Sequence, residues 1–165
     1  MVSMFALRYV YLLALVVWLG GVIVLASVSA PATFEVLQSR DPAAGRVLAG
    51  AVFGESLRRF SLISYAAGAV LLTTLLAMAA LGPRPYGFAI RVAIVGTMLA
   101  MTAYSDLVIA RRIATLQRDV TGPMAALPDG DPRRAEFGRL HGLSSVLMLA
   151  TVAGGLVLLG WHARE

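Results

Sequence analysis

The chain has 165 residues, of which 59% are hydrophobic, and its mean hydropathy of +0.80 is far above that of soluble proteins. It contains no cysteine, which excludes disulfides, thiolate metal sites and thiol redox chemistry. The net charge is +5, and the 14 basic side chains are all arginine. Because these arginines border apolar stretches, they indicate an anionic membrane surface as partner and argue against nucleic acid. We interpret residues 1–165 as one membrane domain.

The first predicted span covers about residues 7–30, long enough to cross the hydrocarbon layer. Residues 28–30 resemble a signal-peptide cleavage site, but the apolar stretch is longer than a signal core and Pro31 follows directly. We therefore expect a retained span whose helix ends at Pro31. Trp18 lies near its centre, where it either lines a pocket or, as is more usual, packs against small residues.

The connector after the first span contains its own helix-start signal. Asp41 provides a cap and Pro42 suits the first helical turn. These two residues predict a short cytoplasmic connector helix over residues 42–53 that lies against the membrane surface. The second predicted span then covers about residues 57–81.

The third and fourth predicted spans form the second half of the chain. The third covers about residues 87–112, and its apolar stripe continues until Gly122 and Pro123 stop the helix. An Asp-Pro pair at 131–132 starts the helix that becomes the fourth span, about residues 140–161. These two helices should therefore project beyond the membrane as a hairpin.

The arginines are unevenly distributed over the two sides of this four-span chain. Ten of them flank the two long connectors, whereas four lie on the side of the termini: Arg8, Arg84, Arg91 and Arg164. Positive charge is retained in the cytoplasm during insertion. We therefore expect an inner (cytoplasmic) membrane protein with both termini on the non-cytoplasmic side.

Small residues recur one helical turn apart in every predicted span. The pairs are Ala26/Ala30, Ser64/Gly68, Gly96/Ala100, Ala150/Gly154 and Thr151/Gly155. Such spacing lets helix backbones approach closely within the bilayer. The sequence thus predicts an all-α bundle of four transmembrane helices with a filled interior, so transport would require an oligomer or a partner.

Asp106 is the one acidic residue within the predicted third span. It lies roughly 7–8 Å inside the boundary marked by Arg111, and its neighbours at i±3 and i±4 include no cation. A carboxyl group at that depth must be protonated, hydrated or paired with a group from another helix.

Other helices carry polar residues at a similar depth. His141 enters the fourth span from the same side, with two serines on its face, and two arginines open the second span. The predicted polar cluster consists of Asp106, His141, Arg58, Arg59, Ser144 and Ser145. The histidine could relay a proton or hold a cation there; the alternative is a satisfied network that fixes helix register.

Metal and heme binding receive little support from the sequence. Met98, Met101 and Met148 could offer thioethers to a soft ion such as Cu(I). However, His141 and Met148 are roughly 10 Å apart along their helix, and methionines in membrane helices mostly fill gaps. A heme needs axial ligands, and the second histidine, His162, is expected in a frayed tail. We therefore predict no metal site and no cofactor.

Residues 137–145, Phe-Gly-Arg-Leu-His-Gly-Leu-Ser-Ser, resemble the transmembrane-protein-205-like family of small four-span proteins of unknown function. Residues 31–39 are similar to the same family, and Arg111 resembles its arginine at the end of the third span. Ala110 departs from the family's proline, so a straighter third helix is expected. The resemblance implies a four-helix membrane domain and a role for His141, without an established reaction.

These observations predict a non-enzymatic integral membrane protein, either an accessory subunit or a small-molecule-handling module. A homo-oligomer or a larger membrane complex is the expected assembly. The alternative is a metal- or proton-linked transporter that uses Asp106 and His141, and a redox heme protein ranks third.

Overall fold

A computed structural model describes residues 3–120 and 122–162, and all regular secondary structure within these ranges is helical. Four helices are long and apolar enough to cross a membrane: α1 (Met4–Arg40), α2 (Ala44–Leu81), α3 (Phe88–Arg118) and α4 (Pro132–His162). A 3-10 turn, Met124–Ala126, lies between α3 and α4. The predicted all-α, four-span fold is confirmed. Arg164, counted above on the terminal side, lies outside the described residues.

Each helix packs against the next along the chain, and α4 closes onto α1. The core lies in the half of the bundle that contains the start of α1, the end of α4 and the short α2–α3 turn. Every helix contributes a side chain of at most 1% exposure to it: Trp18, Leu71, Val95 and Leu158. Side chains of this size fill the space between the helices, as expected for a four-helix bundle without a pore.

The first helix does not end at Pro31, and that expectation was wrong. Proline lacks an N–H, and its ring collides with the carbonyl group four residues earlier. Directly before it, Leu25–Ser29 forms a wider π-helical turn, in which the Ala30 N–H donates to the Leu25 carbonyl. This turn makes room for the ring, and the helix continues to Arg40.

The predicted separate connector helix over residues 42–53 is also wrong. Asp41 does form the expected cap, because its Oδ1 accepts the N–H groups of Ala43 at 3.0 Å and Ala44 at 2.9 Å. From Ala44, however, α2 runs for 38 residues without a break. It does so because its first turns pack along the end of α1. At 1.5 Å per residue α2 is about 57 Å long, nearly twice the ~30 Å hydrocarbon layer.

The third and fourth helices form a hairpin, with α3 ending at Arg118 and α4 starting at Pro132. Asp131 caps α4 by accepting the Arg133 N–H at 2.8 Å, and the Arg133 guanidinium binds the same carboxylate at 2.7 Å. The pKa of Asp131 is lowered from its usual value of 3.8, mainly because the Arg133 side chain donates to the carboxylate and also because the Arg133 backbone N–H does. Arg112 and Glu136 join the two helices at 2.7 Å. The bundle thus continues beyond its core as two hairpins, α1–α2 and α3–α4, each packed mainly on itself.

Candidate functional site

Asp106 lies partly buried in α3, and a neighbouring helix supplies its partner. The Tyr65 hydroxyl of α2 donates a hydrogen bond to Asp106 Oδ2 at 3.2 Å. The expectation that another helix would satisfy this carboxylate therefore holds. The partner, Tyr65, was not among the predicted cluster residues, although its position next to the Ser64/Gly68 pair suggested a place near a helix contact.

A π-helical turn, Ser105–Ala110, contains Asp106. Adjacent side chains of this turn reach two different helices: Asp106 meets α2, and Ser105 Oγ lies 3.1 Å from Ser144 Oγ of α4. Single π turns are frequent at functional sites because they redirect side chains from the regular helical positions. The region expected to be straighter for lack of a proline is therefore an irregular turn.

The structure does not bring His141 to Asp106. His141 is exposed on α4 and stacks on Phe137 of the same helix, with ring centroids 6.2 Å apart. No hydrogen bond or ion pair joins it to Asp106 among the described residues. Ser145 Oγ donates to the His141 carbonyl at 3.0 Å and so stays within α4. His141 lies one turn before Ser144 on the same side of α4. Ser144 reaches Ser105 of α3, whereas the His141 side chain remains exposed.

Arg58 and Arg59 are occupied on their own helix. Glu55 binds Arg58 Nε at 2.7 Å and Arg59 Nε at 2.8 Å, and all three side chains are substantially exposed. Arg58 lies within electrostatic range of Asp106 but makes no hydrogen bond to it among the described residues. Of the predicted cluster, the structure therefore joins Asp106 to Tyr65 and Ser105 to Ser144, and leaves both arginines with Glu55.

A second polar group, at the opposite end of the bundle, was missed. Arg91 is only 1% exposed, and its guanidinium carbon lies 5.9 Å from the centre of the Trp161 ring. The fully buried Tyr11 lies 5.6 Å from the ring of His162, which belongs to the last turn of α4 rather than to a frayed tail. The signal was present in the sequence, since Arg91 stands one turn before Val95 on the buried face of α3.

Between these two polar levels the interior is apolar or satisfied locally. Trp18 packs in the core, and Met98 fills the space beside Gly154. The hydroxyls of Thr102 and Thr151 donate to carbonyl groups of their own helices. Within residues 3–120 and 122–162, no three His, Asp or Glu side chains are grouped closely enough to hold a metal ion.

The outward side of α3 differs from that of its neighbours. Between residues 91 and 103 its exposed residues, named here the α3 outer face, are Ala93, Gly96, Thr97 and Ala100. On α1, by contrast, bulky residues such as Leu13 are exposed at the same kind of position. The Gly96/Ala100 pair was expected to serve packing within the bundle, but both residues are exposed. The pairs Ser64/Gly68 and Thr151/Gly155, by contrast, are buried at helix contacts.

The comparisons with known proteins give one match. The family model described as "Domain of unknown function (DUF4149)" matches residues 13–121, which is more than half of the chain. No curated protein matches the chain, and no solved structure does. Residues 137–145 lie outside the matched range, and the match gives no evidence for the transmembrane-protein-205 name in particular. The chain belongs to the DUF4149 family.

Proposed function

We propose that this protein is a non-enzymatic, multi-pass membrane subunit that packs through the α3 outer face against a transmembrane helix of a partner subunit. The observation that carries the proposal is the row of small exposed residues on α3. In lipid there is little hydrophobic gain from helix association, and close backbone approach over small residues supplies the contact energy instead. A surface built from alanine and glycine therefore suits a helix more than it suits acyl chains.

The burial of the four helices supports the same interpretation. In the most apolar parts of α3 and α4, 17% of the residues are buried within the chain, against 28% for α1 and 39% for α2. Gly96 has no atom within 4 Å of the position of an added Cβ, so the bundle itself leaves space there. The α3 outer face is thus available without any rearrangement of the four helices.

The charge at the cytoplasmic end of α3 indicates that the partner on the α3 outer face is a different protein rather than a second copy of this chain. Arg111 is exposed and directly follows the π-helical turn Ser105–Ala110 near the end of α3. Two copies share one orientation in a membrane, so pairing through this face would bring two Arg111 guanidiniums to the same level. A partner helix with an acidic residue there would be attracted instead.

A leucine at position 96 tests the proposal. Gly96→Leu should keep the helical fold, because the position is open, and should abolish recovery of the partner when the protein is purified from its native membrane under mild conditions. The matched control is Val16→Leu on the exposed side of α1, which should leave the partner bound. Retention of the same partner by both variants would refute a role for this face.

Photo-crosslinking identifies the occupant. A benzoylphenylalanine placed at Thr97 should give an adduct with a second protein, whereas the same group at Val16 should not. An adduct at about twice the 17.4 kDa of the chain would instead show pairing of two copies and would refute the accessory role.

The second candidate is a proton- or metal-linked transporter, and one observation favours it. Asp106 is a partly buried acid near the end of the most apolar part of α3, hydrogen-bonded by Tyr65, and carboxylates in such places often serve ion pathways. The filled interior means that a pathway would have to run between copies or along a partner. Proton flux into liposomes that is lost in Asp106→Asn would favour this candidate.

A further inference from the structure

A small cavity lies at the end of the bundle opposite the two hairpins. It has a volume of about 190 Å³ and is lined by the first turns of α1, the last turn of α2 and the α2–α3 turn. Arg8 of α1 lines the cavity, together with Arg84 and Tyr86 of the turn. Met4 and Met78 provide the apolar part of the wall. Two arginines and a tyrosine, contributed by α1 and by the α2–α3 turn, therefore line one cavity.

The backbone around the cavity is restrained. A Cβ on Gly82 would lie 3.1 Å from Met4 Cε, so the start of α1 packs directly on the turn that follows α2. Arg84 stands between Pro83 and Pro85, whose rings fix their φ angles and restrict the residue before each. A restrained backbone reduces the conformational entropy that the site loses when a ligand binds.

The two arginines of the cavity are not satisfied by the protein. Neither Arg8 nor Arg84 makes an ion pair or a side-chain hydrogen bond with the rest of the described chain, whereas Arg112 is held by Glu136. Guanidinium groups bind phosphate oxygens through pairs of charge-assisted hydrogen bonds. We propose that this cavity binds a phosphate-bearing anion, with Arg8 and Arg84 as the charged donors and the Tyr86 hydroxyl as a further donor.

The size and place of the cavity restrict the ligand. Its volume of about 190 Å³ is sufficient for a phosphate group. It lies where α2 ends and α3 begins, at one edge of the apolar stretches. The phosphate therefore comes either from a phospholipid headgroup of that leaflet or from free inorganic phosphate.

Two measurements on the full chain separate these sources. Native mass spectrometry from nanodiscs of phosphatidylcholine, with and without phosphatidylglycerol, counts the anionic lipids that stay bound. Calorimetric titration of inorganic phosphate into detergent-purified protein measures the free anion. The test variant combines Arg8→Gln with Arg84→Gln. The control combines Arg40→Gln with Arg46→Gln, which removes the same charge from the opposite end.

The test variant should bind about tenfold more weakly than the wild type and the control. If the test variant loses phosphatidylglycerol but still binds phosphate, the ligand is a lipid headgroup. If it loses phosphate but still binds phosphatidylglycerol, the ligand is the free anion. The single variant Tyr86→Phe should weaken the same ligand less and should keep the fold unchanged. Equal binding by the test and control variants, or no binding by the wild type, would overturn the proposal.

Discussion

At the scale of single residues, the contact between Tyr65 and Asp106 is the main polar link between α2 and α3 in the part of the chain that the structure describes. It lies near the point where the bundle separates into two hairpins, and the Ser105–Ser144 contact joins α3 to α4 at the same level. Polar contacts of this kind orient helices in a bilayer because each of them needs one particular rotation of both helices.

Removal of the Tyr65 hydroxyl should therefore destabilise the bundle. Tyr65→Phe leaves the Asp106 carboxylate without its hydrogen-bond donor, and we expect a loss of about 1–2 kcal/mol in the free energy of unfolding. Unfolding by SDS titration, followed by circular dichroism, measures the change. The control is Tyr104→Phe on the exposed side of α3, which should change stability by less than about 0.5 kcal/mol. Equal losses in both variants would contradict this assignment.

At the scale of helices, the contact between the end of α1 and the start of α2 explains why both extend so far beyond the apolar stretches. Gly45 is buried there, and its N–H donates to the Asp41 carbonyl at 2.8 Å. A Cβ on Gly45 would collide with the backbone carbonyl of Leu37 and lie 2.9 Å from the Gln38 nitrogen. Because these atoms belong to the backbone, they cannot move away as a side chain would.

An alanine at position 45 should accordingly push the two helices apart. We expect Gly45→Ala to lower the free energy of unfolding by about 1–3 kcal/mol and to increase hydrogen exchange over residues 30–50. Gly54→Ala on the same helix is the control, because no atom lies within 4 Å of the added Cβ. That substitution should be neutral or stabilising, since alanine favours a helix over glycine by about 1 kcal/mol. Similar losses in both variants would show that the close contact is absent.

At the scale of the whole molecule, the bundle has two chemically different ends. The long hairpins carry ten arginines, whereas the described part of the other end carries three: Arg8, Arg84 and the buried Arg91. The proposed orientation places the hairpins in the cytoplasm and the α2–α3 turn outside. Partner contacts along α3 and anion binding at the turn would then occur at separate surfaces.

Labelling of single cysteines tests this orientation directly, because the natural chain contains none. In intact spheroplasts a membrane-impermeant maleimide should modify Tyr86→Cys, which lies in the exposed α2–α3 turn. Gly130→Cys, in the loop before α4, should react only after the membrane is permeabilised. The opposite pattern would reverse the proposed topology, and labelling of both positions in sealed membranes would refute the four-span arrangement.

The sequence by itself determined the four spans, their approximate limits and the caps at Asp41 and Asp131. Apolar length, arginine placement and capping residues are local properties of the chain, and each acts on a helix before that helix meets another. It also showed that Asp106 needs a partner. It did not identify Tyr65 as that partner, nor the burial of Arg91.

Only the tertiary structure decided which way each helix faces. Whether His141 turns inward, whether Gly96 packs or remains exposed, and whether α1 continues past Pro31 all depend on contacts among helices distant in the sequence. The physical reason is that a membrane helix forms wherever its apolar length is sufficient, but its rotation about its own axis is set by side-chain packing with its neighbours. That rotation selects which polar residues meet.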